Sequence, residues 1–257
     1  MYEFPELNVT VGDDYVATVE IDRPPHNYFD HTLILNLADA FEAIDEDPAV
    51  RATVLCTNGK SFCAGANFGA PRESATETKP GALYREAVRL FSNRKPVVAA
   101  VQGAAIGGGL GVACFPDFRV AAPEARFAAN FSRLGFHQGF GLTATLPPLV
   151  GQQMALDMFM TGRRVKGDEA FAKGLADKLV PLESLRDEAH AFALEIARSG
   201  PLAVLSIRAT MRGDLAQRVK EATDLELAEQ DRLRGTEDFK EGVRATAERR
   251  LPDFKGR

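Results

Sequence analysis

The stretch Pro96-Val-Val-Ala-Ala-Val-Gln-Gly-Ala-Ala-Ile-Gly-Gly-Gly-Leu-Gly-Val112 decides the fold of this 257-residue chain. Residues 97–101 are a short apolar run rich in valine, which predicts a strand buried on both faces. Three glycines follow at 107–109, and the small apolar residues after them predict a buried helix. The first N–H groups of such a helix have no intrahelical partner and carry a partial positive charge. Because glycine has no side chain, this turn suits an anion, or a carbonyl oxygen that becomes anionic during a reaction.

A glycine run also suits a tight turn between a closely packed helix and sheet. It is not a phosphate-binding loop, since no Gly-Lys-Ser/Thr follows. A second stretch favours a functional site. Residues 52–56 predict another buried strand, which runs into the small-residue loop Ser61-Phe-Cys-Ala-Gly-Ala-Asn-Phe68. Two strand ends, each followed by a loop of small residues, can place one N–H apiece on a shared point.

Together, the loops at 61–68 and 102–109 resemble the two signatures of the crotonase family, also called the enoyl-CoA hydratase/isomerase superfamily. Further similarities to the family occur in its order along the chain, at residues 23–27, 134–135 with 146–151, 161–180 and 249–257. The resemblance implies an α/β fold with a crotonase-like ββα superhelix core over residues 1–195. It further implies a helical C-terminal trimerisation region over residues 196–257, which packs on the core and on neighbouring subunits in a homotrimer or hexamer.

The resemblance also implies a site for an acyl-CoA thioester. The backbone N–H groups of Ala66 and Gly108 would form an oxyanion hole, which stabilises an enolate oxygen more than the ground-state carbonyl. The substrate-binding residues that we expect are His26, Ala64, Phe68, Gly107, Asn130, Phe131, Phe140, Phe254 and Lys255. Coenzyme A is expected as part of the substrate, with no tightly bound cofactor and no metal.

Two positions depart from the family's pattern. Family hydratases carry a carboxylate two residues after the third glycine and a glutamate twenty residues later, where this chain has Gly111 and Phe131. The turn near Gly139, where other members use an aspartate, also has no carboxylate. Water addition needs one group to activate water and another to protonate the α-carbon. Ordinary hydratase activity is therefore not expected.

His137 is the remaining candidate for proton transfer, because imidazole exchanges a proton near neutral pH. The alternative is a histidine that only fixes its loop by a hydrogen bond. Glu73 and Glu77 lie in the polar segment 69–81, which we expect to be a mobile flap over the site, and a solvated loop is the simpler interpretation of both. Phe131 and Phe140, with Phe29, predict an apolar, aromatic acyl pocket.

Two functions agree with these residues. The first is an acyl-CoA enzyme of the hydratase/isomerase type, a lyase or isomerase, with decarboxylation or thioester hydrolysis as alternatives. The second is a non-catalytic acyl-CoA-binding protein that keeps the oxyanion hole. The two differ in whether any group moves a proton.

Composition limits the partners and the compartment. The net charge of −5 argues against nucleic acid or an anionic membrane surface as a partner. An odd count of three cysteines, with no metal-binding spacing, predicts free thiols in a reducing compartment. No signal peptide and no apolar run of membrane-spanning length is evident, so a cytoplasmic protein is expected.

Overall fold

The computed structural model describes residues 2–67 and 80–257, in which strands alternate with helices before the chain becomes helical. The strands are β1 (Leu7–Val11), β2 (Val16–Ile21), β3 (Ala52–Thr57), β4 (Val97–Val101), β5 (Ala104–Ile106), β6 (Phe118–Ala121), β7 (Arg126–Ala128), β8 (Val165–Lys166) and β9 (Lys178–Leu179). The α-helices are α1 (His31–Glu46), α2 (Pro80–Phe91), α3 (Gly108–Cys114), α4 (Leu142–Val150), α5 (Gln152–Thr161), α6 (Gly167–Ala172), α7 (Leu185–Ala197), α8 (Pro201–Arg212), α9 (Leu215–Arg234) and α10 (Glu237–Ala247). Short 3-10 helices cover Asn130–Leu134 and Leu182–Ser184.

The larger sheet has the strand order β1-β2-β3-β4-β6-β9. Its edge pair β1/β2 is antiparallel, and the other neighbours are parallel. A smaller sheet has the order β5-β7-β8. Every residue of β3 and β4 is buried, which confirms the prediction of strands covered on both faces. The carboxyl ends of these two adjacent parallel strands therefore deliver the loops at 61–67 and 102–109 to the same edge of the sheet.

The two faces of the larger sheet carry different helices. On one face, α7 presents Leu185, Ala189, Ala193 and Ala197 to the strands, a spacing of four that places them in one row along the helix. These small side chains let the helix lie close to the sheet. The other face packs on the larger core, which contains the apolar side of α1. The Asp30 carboxylate begins α1 by accepting a hydrogen bond from the Leu33 N–H at 2.9 Å.

Some short elements differ from what the sequence predicts. Strands β1, β5 and β8 were not expected, and two of them are only two or three residues long, too short for a periodic pattern. The alternating residues 15–21 predict a strand that begins at Tyr15, but Tyr15 lies in the turn before β2 with φ +68°. Of the expected flap, residues 69–79 lie outside the described residues, and Pro80 and Gly81 begin α2.

The last helices border the loop that follows β7. Helix α9 packs on α2 and α4, and α10 packs on the 3-10 helix Asn130–Leu134. Gly242 makes the second contact close, since a Cβ at this position would lie 2.5 Å from the Leu134 carbonyl oxygen. The C-terminal helices thus reach the segment around residue 131. In the part of the chain that the structure describes, no helix combines the length and apolarity needed to cross a membrane.

Candidate active site

The loops that follow β3 and β4 are hydrogen-bonded to each other. The Cys63 N–H donates to the Ala104 carbonyl at 2.8 Å, and the Ile106 N–H donates to the Cys63 carbonyl at 3.0 Å. A Cβ at Gly109 would lie 2.1 Å from the Cys63 carbonyl oxygen, so the third glycine of the run admits no side chain. The sequence predicts that these two loops share one point, and the described residues place them in direct backbone contact.

The first loop reaches Ala66 through two further backbone contacts. The Ala64 N–H donates to the His26 carbonyl at 3.0 Å, and the Phe29 N–H donates to the Gly65 carbonyl at 3.1 Å. Gly65 has φ +85°, and a Cβ there would lie 2.7 Å from the Ile106 carbonyl oxygen. The loop is therefore fixed on both sides up to the exposed Ala66.

The second loop turns at Gly107 and begins α3 at Gly108. Gly107 has φ +58°, and its N–H donates to the Ala128 carbonyl at 2.8 Å. Within residues 2–67 and 80–257, neither the Ala66 N–H nor the Gly108 N–H donates to an acceptor. For Gly108 this follows from its place at the helix start. Neither predicted oxyanion-hole donor is therefore used within the described residues; Ala66 is exposed, and Gly108 is buried beneath the Phe29 ring.

Two phenylalanine rings cover the glycines of α3. A Cβ at Gly108 would lie 2.3 Å from the Phe29 ring, and a Cβ at Gly111 would lie 2.5 Å from the Phe140 ring. The two rings are tilted at 57° with centroids 5.6 Å apart. An apolar ring thus fills the space that a carboxylate side chain at position 111 would need.

Phe131, at the second position where family hydratases carry a carboxylate, is buried. It packs edge-on against Phe136, with ring centroids 5.5 Å apart. Its ring tip lies 3.8 Å from the position of a Cβ on Gly107, and the Asn130 Oδ1 lies 3.4 Å from the same point. The structure therefore brings Asn130, Phe131 and Gly107 together.

Phe140 sits in a Gly-Phe-Gly turn whose backbone is fixed by other elements. Its φ is +64°, which is unfavourable for a residue with a side chain and costs on the order of 1 kcal/mol or more. A Cβ at Gly139 would lie 2.0 Å from the Tyr84 hydroxyl. The place of a side chain at position 139 is therefore taken by a phenol from α2, whose pKa is raised by burial.

Two residues of α9 touch this turn and were missed by the sequence analysis. The Glu226 carboxylate accepts hydrogen bonds from the Gly141 and Thr143 N–H groups, and the Gln230 side chain contacts the His137 and Gln138 carbonyls. Burial raises the pKa of Glu226. The available sequence signal was their spacing of four residues, which places two polar side chains on one helix face, but the same spacing is common on solvated helices.

His137 is partly buried in the same turn. Its Nδ1 lies 3.0 Å from the Gln138 carbonyl oxygen, which can only accept. The hydrogen bond therefore requires a proton on Nδ1, which leaves Nε2 of the neutral ring as an acceptor. This hydrogen bond agrees equally with His137 as a general base and with His137 as a residue that only fixes the turn.

Three of the predicted coenzyme A contacts, His26, Phe254 and Lys255, lie at the surface. His26 is exposed, and Phe254 is 38% exposed. The C-terminal tail is held by Asp238, whose carboxylate accepts hydrogen bonds from the Lys255 and Gly256 N–H groups at 2.7 and 2.8 Å. The Lys255 ammonium lies 2.9 Å from Asp253. Phe68, Glu73 and Glu77 lie outside the described residues.

The cysteines are free and buried, as predicted. Burial raises the pKa of Cys56 and Cys114 to about 11 and that of Cys63 to about 12. Their thiols are therefore protonated at neutral pH and unsuited to nucleophilic attack. No cluster of His, Cys, Asp and Glu suited to a metal ion occurs in residues 2–67 and 80–257.

Comparison with known sequences gives matches along nearly the whole chain. The sequence model of a family described as Enoyl-CoA hydratase/isomerase matches residues 12–257. The chain is 36% identical over 247 residues to the crotonyl-CoA hydratase of Syntrophomonas wolfei, covering 94% of this chain and 95% of that protein. It is 32% identical over 249 residues to the carnitinyl-CoA dehydratase of Proteus mirabilis, covering 94% and 95%.

Solved structures give the same result. The enoyl-CoA hydratase/isomerase of Pseudoalteromonas atlantica superposes with a TM-score of 0.87 at 30% identity, covering 97% of this chain and 100% of that one. The enoyl-CoA hydratase of Mycobacterium avium subsp. paratuberculosis superposes with a TM-score of 0.86 at 27% identity, covering 98% and 100%. The predicted crotonase-like α/β fold is confirmed. The predicted enzyme class, the hydratase/isomerase type, is also confirmed.

A double-mutant cycle tests the contact between Phe140 and Gly111. Gly111→Ala should destabilise the protein by about 1–3 kcal/mol, because the added methyl meets the Phe140 ring and Cβ. In a Phe140→Gly background the same change should stabilise by up to about 1 kcal/mol, since alanine is the better helix former. Urea unfolding of the four proteins measures both effects. An equal penalty in the two backgrounds would show that Phe140 does not occupy this space.

Proposed function

Because the chain belongs to the enoyl-CoA hydratase/isomerase family, we propose that it binds an acyl-CoA thioester and acts on it through a stabilised enolate. The observation that carries this proposal is the pair of available backbone donors at Ala66 and Gly108, on loops that hydrogen-bond to each other. Removing one oxyanion-hole donor typically costs roughly 3 kcal/mol of transition-state stabilisation. Donors held by the backbone need no reorganisation when the charge develops.

Ordinary hydration is not the reaction we propose. The two positions where family hydratases place carboxylates carry Gly111 and Phe131. A ring fills the space beside the first, and the second is buried against Phe136. At the third position, Gly139, the neighbouring group is the phenol of Tyr84, which burial keeps protonated by raising its pKa and whose O–H already donates to Gln230.

The reaction class supported by these groups needs little or no carboxylate base. In a decarboxylation, the bond from the α-carbon to a carboxylate breaks, carbon dioxide leaves, and the electron pair remains as the enolate. No base is needed for that step, and a proton is then added to the α-carbon. Isomerisation and thioester hydrolysis are the alternatives, and both need a group that moves a proton.

His137 is the group we propose for proton transfer. The hydrogen bond from its Nδ1 to the Gln138 carbonyl fixes the ring and leaves Nε2 able to accept a proton. It lies three residues from Phe140, on the turn that covers Gly111. If His137 is structural instead, the chain fits the second candidate function, an acyl-CoA-binding member without catalysis. The apolar rings around Gly108 and Gly111 favour that candidate.

The proposed coenzyme A path runs along His26, Ala64 and Phe68 for the adenine and pantetheine, with Phe254 and Lys255 at the adenine and phosphates. The exposure of His26 and of Phe254 supports their availability. The Lys255 ammonium already pairs with Asp253, so its attraction for phosphates is partly compensated. Asn130, Phe131 and Phe140, with Gly107, would line the acyl pocket.

We also propose the domain division at residue 195/196, a homotrimer or hexamer, and a cytoplasmic location. Helix α8 supports the assembly, since Leu202, Ile207 and Met211 are each more than 60% exposed, an apolar surface typical of an interface. Three unpaired cysteines support a reducing compartment.

Sedimentation velocity tests the proposed assembly and should give three or six times the mass of one chain. Sedimentation as a monomer would contradict the assembly.

A panel of thioesters tests the proposed function. We expect calorimetry to detect binding of acyl-CoA thioesters, and mass spectrometry to detect turnover of a malonyl- or β-ketoacyl-CoA. Hydration of crotonyl-CoA should be weak or absent, because no carboxylate stands at positions 111 and 131. Binding without any turnover would favour the non-catalytic function. Absence of all binding, or crotonyl-CoA hydration at about 10 per second or faster, would contradict the proposal.

Substitution of His137 separates catalysis from loop structure. His137→Ala should lower kcat on any thioester that is turned over by about 100-fold or more, the usual contribution of a general acid or base. The matched control is His190→Ala. His190 lies on α7, where its Nε2 is 2.8 Å from the Asp14 carboxylate, and it is not part of the proposed site. Steady-state kinetics with a thermal melt of each variant gives the measurement. Equal kinetics for the two variants would assign His137 a structural role.

A further inference from the structure

Helix α9 carries two polar side chains that are fully enclosed by protein. Glu226 is 0% exposed and Gln230 is 1% exposed, although both lie on a helix whose other polar residues are mostly at the surface. They are four residues apart and therefore on the same helix face. Burying an amide and a carboxylate is unfavourable unless their hydrogen bonds are satisfied. Both residues have hydrogen-bond partners in one segment, the turn 137–143.

Gln230 holds the first half of this turn. Its Nε2 donates to the His137 carbonyl at 3.0 Å and to the Gln138 carbonyl at 3.2 Å. Its Oε1 accepts hydrogen bonds from the Tyr84 hydroxyl at 2.9 Å and from Arg234 at 3.2 Å. The amide thus connects α2, α9 and the turn through all of its polar atoms.

Glu226 holds the second half. Its Oε2 accepts a hydrogen bond from the Gly141 N–H at 2.8 Å, and its Oε1 accepts one from the Thr143 N–H at 2.9 Å. Helix α4 begins here, and its N-cap residue is a glycine with no side chain to satisfy these donors. The carboxylate of α9 therefore replaces the missing cap.

Phe140 lies between the carbonyls held by Gln230 and the N–H groups held by Glu226. Gly139 and Gly141 on either side leave the backbone intrinsically loose, and Phe140 itself has an unfavourable φ of +64°. Contacts from outside the turn must therefore maintain this conformation. The approach of α9 is close enough that a Cβ at Gly141 would lie 2.7 Å from the Val219 side chain.

Phe140 transmits the position of the turn to the candidate site. Its ring covers Gly111 and packs on Phe29, and the Phe29 ring covers Gly108. Contiguous contacts therefore run from the polar face of α9 to the glycine whose N–H is a proposed oxyanion donor. A shift of the turn would move the ring that limits the space above α3.

We propose that Glu226 and Gln230 are positioning residues that set the shape of the acyl pocket through Phe140, so that α9 selects short apolar acyl groups. The selection follows from the two rings that close the space above Gly108 and Gly111. This inference rests on the proposed function for the identity of the ligand. The hydrogen bonds by which Glu226 and Gln230 hold the turn 137–143 do not depend on the identity of the ligand.

Hydrogen exchange tests the holding of the turn without any ligand. Gln230→Leu keeps the side-chain volume and removes every polar contact. The matched control is Gln217→Leu, since Gln217 is exposed on the same helix and donates a hydrogen bond to Glu221. Amides of residues 136–146 should exchange at least tenfold faster in the first variant and at the wild-type rate in the control. Unchanged exchange there, or an equal loss of protection across β3 and β4, would overturn the proposal.

Binding calorimetry tests the selection of the acyl group. The ligands are free coenzyme A, butyryl-CoA and octanoyl-CoA. We expect Gln230→Leu to change the ratio of octanoyl-CoA to butyryl-CoA affinity at least tenfold in favour of the longer chain, with free coenzyme A unaffected. The control Gln217→Leu should leave all three affinities unchanged. An unchanged ratio, or an equal weakening of all three ligands, would overturn the positioning role.

A second pair of variants covers the case in which Gln230→Leu does not fold. Glu226→Gln loses one of the two acceptors, and its control is Glu221→Gln, at an exposed position on the same helix. The same exchange and affinity changes are expected for Glu226→Gln alone. If wild-type protein binds none of the three ligands, the proposed function and the acyl selection both fail, while the exchange rates still decide whether the turn is held.

Discussion

The backbone contact between the loops after β3 and β4 is the constraint on which the site depends. The Gly109 backbone lies so close to the Cys63 carbonyl that a methyl group would overlap it at 2.1 Å, and two hydrogen bonds join the same segments. This contact exists because β3 and β4 are adjacent and parallel, so that their carboxyl ends meet at one edge. It fixes Ala66 and Gly108 relative to one another without using any side chain. Catalytic groups made of backbone cannot be lost by substitution in the way that side chains can.

Aromatic rings have taken the places next to this backbone where acid or base groups would stand. Phe140 covers Gly111, Phe131 packs beside Gly107, and the Tyr84 phenol fills the space next to Gly139. An apolar wall strengthens hydrogen bonds to a developing negative charge, because it excludes water. It also leaves no carboxylate at positions 111, 131 and 139 to activate water. This wall is the reason that we propose stabilisation of an enolate rather than addition of water to a double bond.

The sequence predicted the central part of the molecule well, for physical reasons. Strands β3 and β4 are mostly apolar runs. The loops after them are rich in glycine and alanine, whose small size a close backbone contact requires. Strand β5 is too short to show a period, and β8 is two residues long. Glu226 and Gln230 could not be predicted as site residues, because burial of a polar helix face depends on α2 and α4, which lie far away in the sequence. Likewise, no pattern in the sequence indicates that the Tyr84 hydroxyl approaches Gly139.

The central claim is that the N–H groups of residues 66 and 108 polarise one thioester carbonyl. Isotope-edited infrared spectroscopy of a bound acyl-CoA, labelled with carbon-13 at the thioester carbonyl, reports directly on hydrogen bonds to that oxygen. We expect the carbonyl stretch of the bound ligand to lie at a lower wavenumber than that of the same ligand in water. A stretch at the same or a higher wavenumber, as expected for a carbonyl among apolar rings without donors, would contradict it.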